Sequence, residues 1–154
     1  MIEPLRLSFD VACSVEHAFA TWTSGIDRWW PADHTASGRA DATVILEPWL
    51  GGRIYERALD GQETDWGQVT VWSPPDRLGY SWHLRRSRAD ATDVEIRFVA
   101  LGAGTRVEIE HTGWERLGAA GPEWRNRNQG GWESLVPHFR AAIDQTAIEE
   151  EPSR

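Results

Sequence analysis

Two polar side chains interrupt otherwise apolar faces in this sequence. In RIYERA, residues 53–58, strand alternation places Ile54, Glu56 and Ala58 on one face and Arg53, Tyr55 and Arg57 on the other. In RVEIEHT, residues 106–112, Val107, Ile109 and His111 align opposite Arg106, Glu108 and Glu110. A carboxylate and an imidazole aimed inward admit two readings. Brought together, they could orient a polar ligand or move a proton. Satisfied by internal hydrogen bonds, they would instead fix strand register, and this structural role is the favoured one. A bulge near Gly113 could also re-aim His111.

Other chemistries find less support. Asp33 and His34 could pair within a loop over residues 32–40, a position where polar residues need no special role. Cys13 is the single cysteine, so no intrachain disulfide can form. It falls at a strand–helix junction, where helix-end amides could depress its pKa, but a small buried thiol is the favoured reading. Ser134 lacks a base with an orienting partner, and the serine-hydrolase elbow is missing. LGAGT, residues 101–105, joins two alternating strands with no helix opening after it, so the phosphate-loop context is absent. EHTGWE is not HExxH, and His17, His34, His83 and His138 have no metal-site spacing. Neither a metal nor a cofactor is expected.

The elements that must position these groups follow from periodicity. LRLSFDV alternates as a half-buried strand. Ser14 caps a helix with Val15, Phe19 and Trp22 on its apolar side. Ser24 repeats the signal, with Asp27 at the third helical position, for a short helix carrying Trp29 and Trp30 and ending before Pro31. Alternating strands then run from residue 41 to 112. Gly51 and Gly52 are expected to take dihedrals closed to other residues in the turn after the second strand. Pro122 suits the first turn of a long helix from 123 to about 146, interrupted by Gly130-Gly131 and Pro137. The order is strand, two short helices, about six antiparallel strands, long helix. It excludes a doubly wound sheet and calls for an α+β fold, a curved antiparallel sheet covered by its last helix.

Bulk properties narrow the partners. A length of 154 residues suits one domain, taken as 1–148 with a frayed tail at 149–154. The net charge of -8 and the absence of a Lys/Arg block disfavour nucleic acid. Arg85, Arg86 and Arg88 read as a solvated hairpin decoration. No stretch approaches a membrane span, so a cytoplasmic protein without membrane insertion is expected, as monomer or homodimer. Ten tryptophans suggest a lined groove as readily as a closed core.

Five ordered blocks carry a resemblance: SVEHAFATWTSGIDRWWP, EPWLGGRIYE, WGQVTVWSPPDRLGYSW, TRVEIEHTGW and GGWESLVPHF. Together they resemble the bacterial family named after the C-terminal domain of the activator of Hsp90 ATPase. That family lies within the START-like, Bet v 1-like helix-grip superfamily. The resemblance implies about seven strands wrapped around the C-terminal helix, two short helices after the first strand, and a pocket between helix and sheet. Tyr80, Trp82, Ile96, Phe98, Val107 and Ile109 would line it from the strands, with Trp124, Asn128, Leu135 and Phe139 from the helix. Trp29 and Trp30 would close one mouth, and Glu56, His111 and Asn128 would be its polar anchors. Gly130-Gly131 would allow a close backbone approach. The reading favours binding of a small apolar or aromatic molecule over catalysis. A polyketide cyclase or dehydratase-like enzyme and an Hsp90-type interaction module are the alternatives.

Overall fold

The computed structural model describes residues 2–150. Strand β1 (Leu5–Val11) leads into helix α1 (Val15–Trp22), whose first turn is capped by the Ser14 hydroxyl accepting from the His17 N–H at 3.2 Å. Two 3-10 turns follow, Ile26–Arg28 and Ala32–His34. The first starts from Gly25 without a side-chain cap, so Ser24 does not play the expected part. Asp27 instead accepts the Val44 N–H at 2.9 Å, tying the turn to the sheet edge.

Strands β2 (Thr43–Leu46), β3 (Arg53–Arg57), β4 (Glu63–Ser73), β5 (Arg77–Trp82), β6 (Thr92–Leu101) and β7 (Gly104–Thr112) form a meander. Strand β1 returns to pair with β7, giving one antiparallel seven-stranded sheet in the order β1-β7-β6-β5-β4-β3-β2. A 3-10 stretch, Trp114–Ala120, delivers the chain to α2 (Gly121–Glu150), around which the sheet curves. The expected tail overlaps the end of α2 at 149–150, and residues 151–154 lie outside the described residues. Among the described residues no helix is long and apolar enough to cross a membrane.

Alternation works as the sequence implies. Leu78, Tyr80 and Trp82 of β5, Val94, Ile96 and Phe98 of β6, and Val107, Ile109 and His111 of β7 are all buried. Register is unbroken across β7, with His111 opposite both Leu5 and Val94, so Gly113 does not re-aim it. Tyr55 is buried despite its outward position, because Arg53 stacks on its ring at 4.0 Å and Arg57 approaches at 5.6 Å. The two turn glycines answer different needs. Gly51 has φ +84°, whereas a Cβ on Gly52 would fall 2.3 Å from the Glu47 carbonyl oxygen.

Aromatic rings close the interior. Trp22 packs against Trp29 at 4.9 Å, Phe139 at 5.0 Å and Trp132 at 6.1 Å, and Phe19 meets Phe98 at 5.3 Å. These offset and edge-on arrangements suit rings whose faces are negative and edges positive. The middle of the fold is therefore filled by rings.

Candidate functional site

A half-open groove of about 440 Å³ lies between the first half of α2, the end of β5 and the loop after Trp30. Trp30, Trp82, Trp124 and Trp132 bring four indoles to it, and Leu84 and Leu135 add aliphatic surface. Asp33, His34, Arg85, Arg127 and Asn128 are its polar groups. Apolar walls with convergent polar groups, and a volume of this size, fall within the range of small-molecule pockets.

Buried hydrogen bonds hold two of the indoles. Trp132 Nε1 lies 3.1 Å from His111 Nδ1. An indole N–H can only donate, so Nδ1 must accept and the imidazole proton sits on Nε2. Nε2 then donates to Thr92 Oγ1 at 2.6 Å. The Thr92 hydroxyl passes its own proton to the Trp82 carbonyl at 3.2 Å and accepts Arg86 Nη2 at 3.1 Å. His111 is thus a link between groove residues, not a group facing the groove. Burial, reinforced by the positive charge of Arg86, pushes its pKa down to about 3, so it is neutral near pH 7. Arg86 also approaches the Trp124 ring at 5.3 Å while Arg127 approaches it at 5.0 Å, flanking a third indole with cations.

The Trp30 side is fixed from two directions. Glu56, 2% exposed, accepts the Ala36 N–H at 2.6 Å, the Ser37 N–H at 3.2 Å and Trp66 Nε1 at 2.7 Å. Burial alone would raise its pKa, but the bonds from Ser37, Ala36 and Trp66 outweigh that and hold it below the usual carboxylate range. From the other side Arg85 donates to the Thr35 carbonyl at 3.0 Å and the Asp33 carbonyl at 2.9 Å. Arg85 does so from φ 62°, the left-handed region that non-glycine residues rarely occupy. Trp30 Nε1 closes the turn on the His34 carbonyl at 3.0 Å.

On this anchored turn His34 Nδ1 lies 2.9 Å from Asp33 Oδ1. The carboxylate can only accept, so Nδ1 carries a proton, and in the neutral ring Nε2 presents a lone pair. The hydrogen bond from His34, helped by the imidazolium charge when the ring is protonated, holds the Asp33 carboxyl below its ordinary pKa.

Of the residues expected to line a pocket, Trp30, Trp82, Trp124, Asn128 and Leu135 border the groove. Trp29, Tyr80, Phe98 and Phe139 belong to the packed aromatic interior, and Ile96, Val107 and Ile109 are buried on the sheet. Burial raises the pKa of the Tyr80 hydroxyl, whose polar neighbour is Trp22. Glu56 and His111 do not meet, because each is engaged by its own protein partners. Gly130 and Gly131 make no close approach; a Cβ on either would meet open space. Gly131 faces the groove instead.

Arg85, Arg127 and Trp132 border the groove without having been expected there. Trp132 shares helical spacing with Leu135 and Phe139, which is the available signal. Arg85 was hidden, since nothing in HLRRSRAD announces a left-handed arginine. Burial, with a contribution from Asp144, pushes the Cys13 thiol up to about 11, which fits an inert thiol.

The family described as "Activator of Hsp90 ATPase homolog 1-like protein" matches residues 12–144. No curated protein sequence matches the chain. Among solved structures, an anthrahydroquino-Gama-pyrone synthase, Txn09, complexed with SUM, is 38% identical. The match covers 79% of this chain and 84% of that one, with a TM-score of 0.58. CalC, a self-sacrificing resistance protein from Micromonospora echinospora, is 29% identical over 93% of this chain and 95% of its own, with a TM-score of 0.71. An AHSA1-like protein from Aeromonas hydrophila, at 20% identity, covers 97% of this chain and 99% of its own with a TM-score of 0.62, a likeness of fold.

Proposed function

Because the chain belongs to the family of activator of Hsp90 ATPase homolog 1-like proteins, within the helix-grip superfamily, we propose that it binds a planar, multi-ring aromatic molecule in the tryptophan groove. The observation that carries this reading is the convergence of Trp30, Trp82, Trp124 and Trp132 on one half-open space. Indole faces offer broad contact at little entropic cost, and flat aromatic guests stack on them in offset or edge-on geometry. The interior behind them is packed, so the guest is held at the groove and not enclosed between helix and sheet. Asn128 and the two arginines supply polar contacts for oxygen substituents.

A second reading, chemistry on such a molecule, is favoured by the 38% identity to a pyrone synthase. It uses the same groove and needs a group able to move a proton there.

The test is a titration of the protein with 2-hydroxyanthraquinone, a flat three-ring phenol, followed by tryptophan quenching. The Gly131→Leu variant is titrated in parallel. Position 131 borders the groove and a Cβ there meets nothing within 4 Å, so the leucine is expected to fill the space while the fold is kept, as near-ultraviolet circular dichroism checks. Saturable quenching in the unmodified protein, weakened at least tenfold in Gly131→Leu, is the expected result. Equal binding by both would place the dye elsewhere and remove the groove reading.

A further inference from the structure

We infer that the Asp33–His34 pair is a proton acceptor for an acidic hydroxyl on the aromatic guest, so that the groove takes hydroxylated aromatics and holds them as phenolates. The inference rests on the groove reading above and adds the chemical class of its guest. Both residues border the groove, and their mutual hydrogen bond of 2.9 Å fixes the imidazole tautomer. Among the described residues, His34 Nε2 has no hydrogen-bond partner, so the lone pair is free for a guest. The ring is about one-fifth exposed, enough for access from the groove.

Three features make this an organised base and not a chance pair in a loop. Glu56 and Arg85 grip the turn at Ala36, Ser37, Thr35 and Asp33. The Trp30 indole ties itself to the His34 carbonyl, so the aromatic wall and the base move as one unit. Arg85 holds an unfavourable backbone conformation while making its contacts, and such strain concentrates at functional positions.

The step is a simple proton transfer. The phenol O–H bond breaks, an N–H bond forms at Nε2, and the electron pair stays on the phenolate oxygen. Asp33, accepting from Nδ1, orients the ring and stabilises the imidazolium; it is a positioning residue. The charged and titratable groups around the pair are Arg85 from the strand end, Arg127 from α2, and His138, also on α2, which acts on Asp33. The arginines favour the phenolate once formed. On release the proton returns to the phenolate or to water.

The experiment uses 2-hydroxyanthraquinone at a pH just below its own ionisation, where the free dye is neutral. Its anion absorbs at longer wavelength, so absorbance reports ionisation while tryptophan quenching reports binding. The bound dye is expected to show the anion band in the unmodified protein. Compared at saturating dye, His34→Gln should lose the band at least fivefold, with Asp33→Asn in between. Near-ultraviolet circular dichroism establishes that both variants are folded. A dye bound as the anion by His34→Gln would overturn the assignment, the arginines alone then sufficing. A neutral dye in the unmodified protein would overturn it too, while leaving the groove intact. Absence of any quenching would defeat the groove reading itself and this inference with it.

Discussion

Trp132 Nε1 donates to His111 Nδ1 at 3.1 Å, and this contact joins the groove wall to the inside of the sheet. Loss of the imidazole leaves the Trp132 N–H unpaired and opens a cavity beside Trp114, whose ring packs on His111 at 4.2 Å. His111→Ala is expected to lose about 2–4 kcal/mol at neutral pH, from the cavity and the orphaned donor together. Linkage gives the sign of the pH dependence. The folded pKa is depressed to about 3, so the neutral ring contributes fully above the ordinary value of 6.5. As pH falls below that value the unfolded chain takes up a proton that the folded chain refuses, costing about 1.4 kcal/mol per pH unit. Urea melts at pH 8, 7, 5.5 and 4 should show the gap between the two proteins narrowing in acid. A constant gap would contradict the buried neutral imidazole.

Glu56 holds the opposite side of the groove. Its carboxylate accepts three N–H groups, and an amide in its place would turn NH₂ toward donors. Glu56→Gln is expected to cost about 1–3 kcal/mol at pH 7. Because the folded pKa lies below 4.5, this stability is present above that value and is lost as pH falls through the folded pKa. Melts at pH 7 and pH 3 check it, and a difference undiminished in acid would argue against an ionised Glu56.

These two residues show what the sequence made legible. Strand alternation placed Glu56 and His111 inward because a period of two leaves a side chain only two directions. It could not say what each would meet, since partners come from the loop at 36–37 and from α2, distant in the chain. The glycine pair in α2 illustrates the same limit. Two glycines in a helix mark a tolerated absence of side chains, but only the packing tells whether backbone or empty space occupies the gap. Seven strands and a long helix were readable from local pattern. That the centre would be filled by Trp22, Trp29 and Phe139 depends on ring orientations that no periodicity records.

Arg85 offers a separate measure of how the groove is built. Arg85→Ala removes both bonds to the loop and leaves a Cβ at φ 62°, whereas Arg85→Gly removes the same bonds and relieves the backbone. The glycine variant is therefore expected to be more stable than the alanine variant by about 1 kcal/mol. Both should bind 2-hydroxyanthraquinone more weakly than the unmodified protein. An alanine variant as stable as the glycine variant would mean that the left-handed conformation is not retained without the arginine bonds.

Glycine-to-alanine changes at two positions should differ in sign. Gly67 lies in β4, where a Cβ would fall 1.9 Å from the Ser81 carbonyl oxygen on the paired β5. That atom is backbone, held by the sheet, and cannot yield without breaking strand pairing. Gly67→Ala is expected to lose more than about 3 kcal/mol, in the range reserved for severe steric conflict. A methyl group on Gly131 meets nothing within 4 Å, and the residue is helical, where alanine is favoured over glycine by about 0.8–1 kcal/mol. Gly131→Ala should therefore raise the denaturation midpoint while trimming dye affinity only slightly. Stabilisation with little effect on binding would show that one methyl fits the open space beside α2 without closing the groove. A destabilised Gly131→Ala would mean that this segment of α2 packs more closely than its open surroundings imply.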